Sequence, residues 1–302
     1  MNSWQRPGPV GSLAWVIACY VTATGVGVGA ALAVDLPWTW TVFVADLAAT
    51  LAVFGFSALL RNSSMYDAYW SVAPPLLLAG GMALVGTSPR GWLLLGVVSA
   101  WAIRLTLNWY RGWPDLSHED WRYRDLATKT GAAYWLVSLA GLHVFPTLCV
   151  ATGLLPAVVA LTSDAPLGAW DAIGGITVLL GTLLELVSDE QARTFKRTAQ
   201  PGDLCDTGLW AWSRHPNYLG ELLVWVGVWL IGIGADPSAW AWTGTGVVVM
   251  LVLFVAISIP MQEKRAAGRR RGWDAYKART SMLLLWPPSH EGGARGDQGP
   301  CA

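Results

Sequence analysis

Gly208-Leu-Trp-Ala-Trp-Ser-Arg-His-Pro-Asn217-Tyr-Leu-Gly-Glu221 runs without a break into residues 222–233, which hold no charged side chain. A helix that is apolar on all sides belongs in a protein core or a membrane. Asn217 and Glu221 are four apart, so they share one face of that helix. A carboxylate at membrane depth is costly and marks a functional site unless a neighbouring cation neutralises it. Arg214 stands three residues before Asn217, so both accounts of Glu221 stay open. Pro216 suits a helix start, where its missing N–H has no helical partner to lose. The helix N-terminus, with Arg214 added, offers a seat for a phosphate or a polar cofactor headgroup.

The rest of the chain shares this character. Its 302 residues are 54% hydrophobic and only 13% charged, where a soluble domain carries roughly 25% charge. Mean hydropathy is +0.41. The predicted fold class is therefore all-α, a polytopic membrane helix bundle. A crossing helix needs about 20 mostly apolar residues. Candidate spans lie at 13–34, 40–60, 71–85, 92–110, 133–161, 167–188, 217–234 and 239–260. The third is short and carries Pro74-Pro75, which predicts a broken or tilted helix. The fifth is long and carries Pro146, which predicts a kink or two pieces. Eight spans fit the charge pattern; seven require one candidate to be re-entrant.

Basic residues sort the loops. Arg111, Arg122, Arg124 and Lys129 follow the fourth span; Arg193, Lys196, Arg197 and Arg214 follow the sixth; seven lysines and arginines between Lys264 and Arg279 follow the eighth. The alternate loops, around Leu36, Pro89, Asp164 and Asp236, hold almost none. The positive-inside rule then puts both termini in the cytosol, and the loops at 61–70, 111–130, 189–214 and 261–280 form a cytosol-facing cap over a membrane cavity. The stretch 287–302 is rich in Gly, Pro and Ser, and residues 289–302 read as a disordered tail.

Several function classes fall away. Net charge is zero, so nothing electrostatic points to nucleic acid. The cysteines (Cys19, Cys149, Cys205, Cys301) are scattered and predict neither a disulfide framework nor a zinc site. The four histidines show no H-x-x-x-H spacing, so no metal site is predicted. The 20 tryptophans suit anchoring at the membrane interface. The first twelve residues carry one Arg and many apolar spans follow, which is not the pattern of a cleaved signal peptide. There is no internal repeat of the transporter kind.

Four further constellations carry chemistry. Glu185, Asp189 and Arg193 are spaced by four and lead to Lys196 and Arg197; they form either a salt-bridge ladder on a solvated helix end or, for the deeper Glu185, part of a site. Asp67 lies between Tyr66 and Tyr69 at the mouth of the Pro-broken span. Burial would keep its carboxyl protonated and able to donate; the plainer account is a cap on the next helix. Arg104 lies within a span, where it can snorkel, and is followed by Arg111 and by Glu119-Asp-Trp-Arg122-Tyr123. The basic run 264–279, with Trp273 and Tyr276, either attracts anionic lipid or binds phosphate.

At these residues the chain resembles the steroid 5-alpha-reductase family, in its bacterial branch of membrane reductase-like proteins. The signature is Gly208-Leu-Trp followed by Ser213-Arg-His-Pro-Asn-Tyr-Leu-Gly-Glu221. It is backed by the Asp67/Pro74 segment, by Glu119-Asp-x-Arg-Tyr123, and by Tyr276-x-x-Arg-Thr280 leading to Trp286-Pro-Pro. Isoprenylcysteine and phospholipid methyltransferases share the His-Pro-x-Tyr-x-Gly core; Asn217 and Glu221 tilt the likeness towards the reductases. The resemblance divides the chain into N-terminal membrane helices (1–61), a reductase-like catalytic membrane domain (62–288) and the tail (289–302). It implies a bacterial inner-membrane enzyme with NADPH in a cytosol-open cavity, reducing the activated C=C bond of a lipid-like enone that enters from the bilayer.

The resemblance also implies roles. Asn217 and Glu221 contact the nicotinamide end, and Asp189 and the Lys196 region hold the ribose–phosphate portion. Arg111, Tyr276 and Arg279 help close the site, and Arg214, His215, Tyr218, Arg193, Arg122 and Tyr123 complete the candidate cofactor set. Aligning the prolines puts Asp67, with Tyr66 beside it, where the family has its substrate glutamate. Asp is one methylene shorter. A family tyrosine three residues before Arg104 is Trp101 here, which can donate but not accept. Two other expectations stand beside the reductase: an S-adenosylmethionine-dependent methyltransferase acting on a lipid or prenylated thiol, and a non-catalytic lipid-binding or transport protein.

Overall fold

The computed structural model of the protein describes residues 8–289. The expected unstructured tail, apart from residue 289, lies outside the described residues. Among those described the chain is all-helical, without a strand, and eight helical stretches are long and apolar enough to cross a membrane. This is a multi-pass membrane protein.

The apolar spans become α1 (Pro9–Ala33) and α2 (Trp38–Leu60), separated by an extended link at Pro37. Arg61 ends α2 in the left-handed conformation (φ 50°) and returns its N–H to Ala58 and Ser57 carbonyls, which satisfies groups a helix end leaves bare. A 3₁₀ turn, Ser63–Tyr66, leads into α3 (Tyr69–Val85). The predicted break does not occur: Pro74 and Pro75 sit inside a continuous helix. They lie in its second turn, so only the bonds to carbonyls at its very start are lost.

Ser88 caps α4 (Pro89–Gly112), accepting from Gly91 N at 3.0 Å. Asp120 caps α5 (Trp121–Thr130) in the same way, so the stretch 111–130, read as a loop, contains a short charged helix. After it come α6 (Tyr134–Ser138), a π-helical turn at Leu139–Val144, α7 (Phe145–Gly153) and α8 (Leu155–Ala160). The widened turn directly precedes Pro146, where one N–H is missing, and the helix runs on through it to Gly153; the predicted span divides instead at Leu154, just ahead of Pro156. The remaining helices are α9 (Ala169–Thr198), α10 (Leu209–Trp212), α11 (Pro216–Ala235), α12 (Trp240–Thr243), α13 (Thr245–Val252), α14 (Ile259–Ala267) and α15 (Trp273–Arg279). A second π turn, Leu253–Ser258, precedes Pro260.

The described residues fall into two compact units, one up to Leu179 together with Trp225–Val249, the other Leu180–Val224 with the residues from Met250 on. Lipid tails give apolar helices no hydrophobic reason to associate, so small residues and polar bonds carry the packing. In the first unit a Cβ on Gly27 of α1 would stand 2.9 Å from Ala45 O of α2, and one on Gly174 of α9 would stand 2.6 Å from Gly227 O of α11. Arg90 and Asp171 form a fully buried ion pair there. In the second unit a Cβ on Gly181 would stand 2.6 Å from Gly220 O.

Candidate functional site

The second unit holds most of the proposed cofactor residues. Its frame is built around Ser213, whose Oγ accepts from His215 N at 3.1 Å and donates to Leu283 O at 2.8 Å. Arg214 N donates to Ser281 O at 2.8 Å. Gly208 has φ +60°, and a Cβ there would fall 2.7 Å from the Gln191 amide. That close approach lets Gln191 Oε1 accept from Leu209 N at 2.9 Å. The α11 start is thus held at a fixed place against α9 and the chain from 280 to 283.

On this frame Asn217 Nδ2 lies 3.4 Å from Asp189 Oδ1 of α9. Glu221, one turn further along α11, is buried, as is Glu185 of α9. A Cβ on Gly220 would stand 2.5 Å from Glu185 Cγ, so glycine is what lets the Glu185 side chain lie against the α11 backbone. Asn217 and Glu221 on α11, and Glu185 and Asp189 on α9, are each spaced by four, and the two helices meet at Asn217–Asp189 and at Gly220–Glu185.

Arg214 turns elsewhere. Its guanidinium is buried, with Nε donating to Glu263 Oε1 at 2.8 Å and Nη1 donating to the Lys277 and Thr280 carbonyls. His215 Nε2 sits 3.4 Å from the same Glu263 oxygen, and Lys277 Nζ sits 3.0 Å from Oε2. Burial pushes the His215 imidazole down to about 4, against the opposing pull of the Glu263 carboxylate. Its ring stacks on Tyr218, 5.4 Å between centroids, and Tyr218 stacks on Phe254 at 4.8 Å. Tyr276 donates to Trp210 O at 2.6 Å, and burial raises its phenol above the usual range. Arg279 pairs with Asp206 and Arg271 with Asp203. Much of the basic run 264–279 is thus bonded within the unit. Arg193 pairs with Glu190 at 3.5 Å, and Lys196 is exposed at the end of α9.

The first unit holds Asp67, Tyr66, Arg111, Arg122 and Tyr123. Two segments distant in sequence lock together here. Asn62 Nδ2 donates to the Leu116 and His118 carbonyls, both at 2.9 Å. Ser63 N donates to Glu119 Oε1 at 2.9 Å, and Asp120 N to Ser64 Oγ at 3.0 Å. Tyr123 donates to Asp67 Oδ1, and Arg122 Nε donates to Asp120 Oδ1 at 2.8 Å. Tyr66 is buried, its hydroxyl 2.7 Å from Thr147 Oγ1 and its ring against His143. Arg111 is exposed at the end of α4. Trp101 is fully buried edge-on to Trp225, 5.5 Å between centroids. Arg104 is buried rather than extended to water.

Sequence reasoning missed Asp46, which is 2% exposed in mid-span and accepts from Tyr69 at 3.3 Å. The signal was present: Asp46 is the one charged residue in α2, as conspicuous as Glu221 is in its own span.

Membrane helices carrying buried acids at defined helix contacts define the class of the molecule. Residues 53–280 match the family described as a protein of unknown function, DUF1295, and the chain belongs to that family. It is also similar to an uncharacterized protein of Schizosaccharomyces pombe, 28% identical over 215 residues. That match covers 62% of this chain and 62% of the yeast protein's length. No solved structure matches the chain.

Proposed function

We propose that the protein is a membrane-embedded oxidoreductase that uses NADPH to reduce an activated C=C bond in an apolar, lipid-like enone. The observation that carries this reading is the contact of Asn217 on α11 with Asp189 on α9, with the buried Glu221 one turn further along α11. Intramembrane acids are costly and are kept where they act. The likeness to the steroid 5-alpha-reductases supports the same reading.

The side chains fit the parts of a nicotinamide dinucleotide. An amide needs both a donor and an acceptor, and Asn217 with Glu221 supplies both. A carboxylate such as Asp189 is the usual partner of ribose hydroxyls. Lys196 and Arg193, where α9 ends, supply positive charge for phosphates. Arg214 is bonded to Glu263 and two carbonyls, so its role is to fix the start of α11 and with it Asn217. When bound, the cofactor supplies hydride to the β-carbon of the enone.

Asp67 is assigned the substrate carbonyl. Tyr123 donates to its Oδ1, which orients the carboxyl. A hydrogen bond at that carbonyl stabilises charge that develops on oxygen. In the proposed orientation both termini face the cytosol of a bacterial inner membrane, by the loop charges.

The test is NADPH oxidation by purified full-length protein across a panel of apolar enones, with cofactor binding measured in parallel. Asp67→Ala should keep NADPH binding and lose turnover, and Glu221→Gln should weaken binding. Full turnover in Asp67→Ala removes Asp67 from the reaction; unchanged affinity in Glu221→Gln removes the amide assignment.

A further inference from the structure

Asp46 lines a cavity of about 620 Å³ inside the first unit, a volume suited to one drug-sized molecule. The walls come from α2, α3, α7 and α8, with Trp242 at one edge, and are formed mainly by apolar side chains such as Val42, Leu78, Leu155 and Leu161. Asp46 is the only ionisable group among the lining residues. Thr152, also on the wall, spends its proton on Cys149 O at 2.7 Å. Three of the lining residues, Trp40, Leu148 and Trp242, are 59%, 40% and 43% exposed. All three belong to segments long and apolar enough to span, so the rim of the cavity carries side chains that a bilayer would cover. Tryptophans are the residues expected where such a rim nears the headgroups.

We propose that this cavity binds an apolar alcohol taken from the bilayer, with its hydroxyl on the Asp46 carboxyl. A hydroxyl both donates and accepts, so it satisfies that carboxyl whether ionised or protonated. A pure hydrocarbon adds no hydrogen bond to the one Tyr69 gives the carboxyl, whereas a hydroxyl does. Tyr69 orients the acid: its hydroxyl donates to Oδ1 at 3.3 Å, and its own ring packs on Tyr66 at 5.5 Å. The walls contribute apolar contact, and Asp46 contributes selection for an oxygen at one end of the ligand. None of these residues belongs to the cofactor set, so the proposal stands or falls separately from the reductase reading.

The test is photolabelling of the full-length protein, without nicotinamide, by a diazirine-bearing long-chain alcohol and by the matched hydrocarbon without the oxygen. The alcohol should label peptides from 148–161, be competed by unlabelled alcohol, and label about tenfold more strongly than the hydrocarbon. Asp46→Leu should erase that preference. Ala151→Phe, which narrows the cavity from a wall away from the acid, should weaken both probes. Equal labelling by the two probes in the wild type, or a preference that survives in Asp46→Leu, overturns the proposal. Should Asp46→Leu not fold, Ala151→Phe decides in its place: labelling unaffected by that change overturns the proposal as well.

Discussion

Arg90 and Asp171 meet in a buried, two-pronged ion pair, Nε to Oδ1 at 2.7 Å and Nη2 to Oδ2 at 3.0 Å. Arg90 also donates to the Ala165, Pro166 and Gly234 carbonyls, and Asp171 accepts from Gly168 N at 2.8 Å. The pair joins the start of α4, the start of α9 and the end of α11. Removing one partner strands the other charge, and Asp171→Ala or Arg90→Met should each destabilise by about 3–5 kcal/mol. The double variant Arg90→Met with Asp171→Leu should recover part of that loss. Recovery stays partial because three carbonyls lose their donor. Thermal unfolding in detergent checks this; a single variant as stable as wild type contradicts it.

Glu263 should behave differently towards its partners. Arg214 is 8% exposed at the side chain and Lys277 is 52% exposed. Glu263→Ala leaves the Arg214 charge buried without its carboxylate and should cost about 3–5 kcal/mol. Lys277→Ala removes a solvated partner and should cost less than about 1 kcal/mol. Comparable losses in the two variants contradict the buried clamp.

The stability of the protein should fall in acid partly through His215. Its folded-state value, about 4, lies below the ordinary 6.5, so between those limits the unfolded chain binds the proton more readily. Stability therefore rises with pH across that window and is lost as pH falls from 6.5 towards 4. His215→Phe keeps a ring for the Tyr218 stack and removes the titration. Unfolding midpoints followed from pH 7 to 4 should drop more steeply in wild type than in His215→Phe; parallel curves contradict the assignment.

Gly227 lets α11 touch α9 in the first unit. An added methyl would stand 2.6 Å from Gly174 O and 2.6 Å from Val178 Cγ2. Gly227→Ala should lower stability by about 1–3 kcal/mol through overpacking. Gly80 of α3 has nothing within 4 Å of a built Cβ, and Gly80→Ala should be neutral or slightly stabilising. A tolerated Gly227→Ala contradicts the close contact.

The spans were legible because a lipid-facing helix must be apolar over its whole length, and residues 222–233 show this directly. What hydropathy does not report is charged helix: α5 reads as loop because its polar residues hide the helical period, whereas the spacing of four from Glu185 to Arg193 marks the polar end of α9. Pro74-Pro75 overstated a break that a continuous helix absorbs. In the candidate site, the spacing of Asn217 and Glu221 gave their shared helix, but only three-dimensional contact brought Asp189 to Asn217. The sequence also could not show that Arg214 spends its hydrogen bonds on Glu263, nor that Asn62 and Glu119 bind their two segments together. Arg90, Asp171 and Asp46 are single charges near or within apolar runs with no motif around them, so their partners emerge only from the fold.

The central claim is that Asn217 and Glu221 hold a nicotinamide dinucleotide. Calorimetric titration of detergent-purified protein with NADPH, and separately with S-adenosylmethionine, tests it most directly. NADPH should bind saturably, and Asn217→Ala should abolish that binding. Binding of S-adenosylmethionine without binding of NADPH would contradict it and move the protein to methyl transfer.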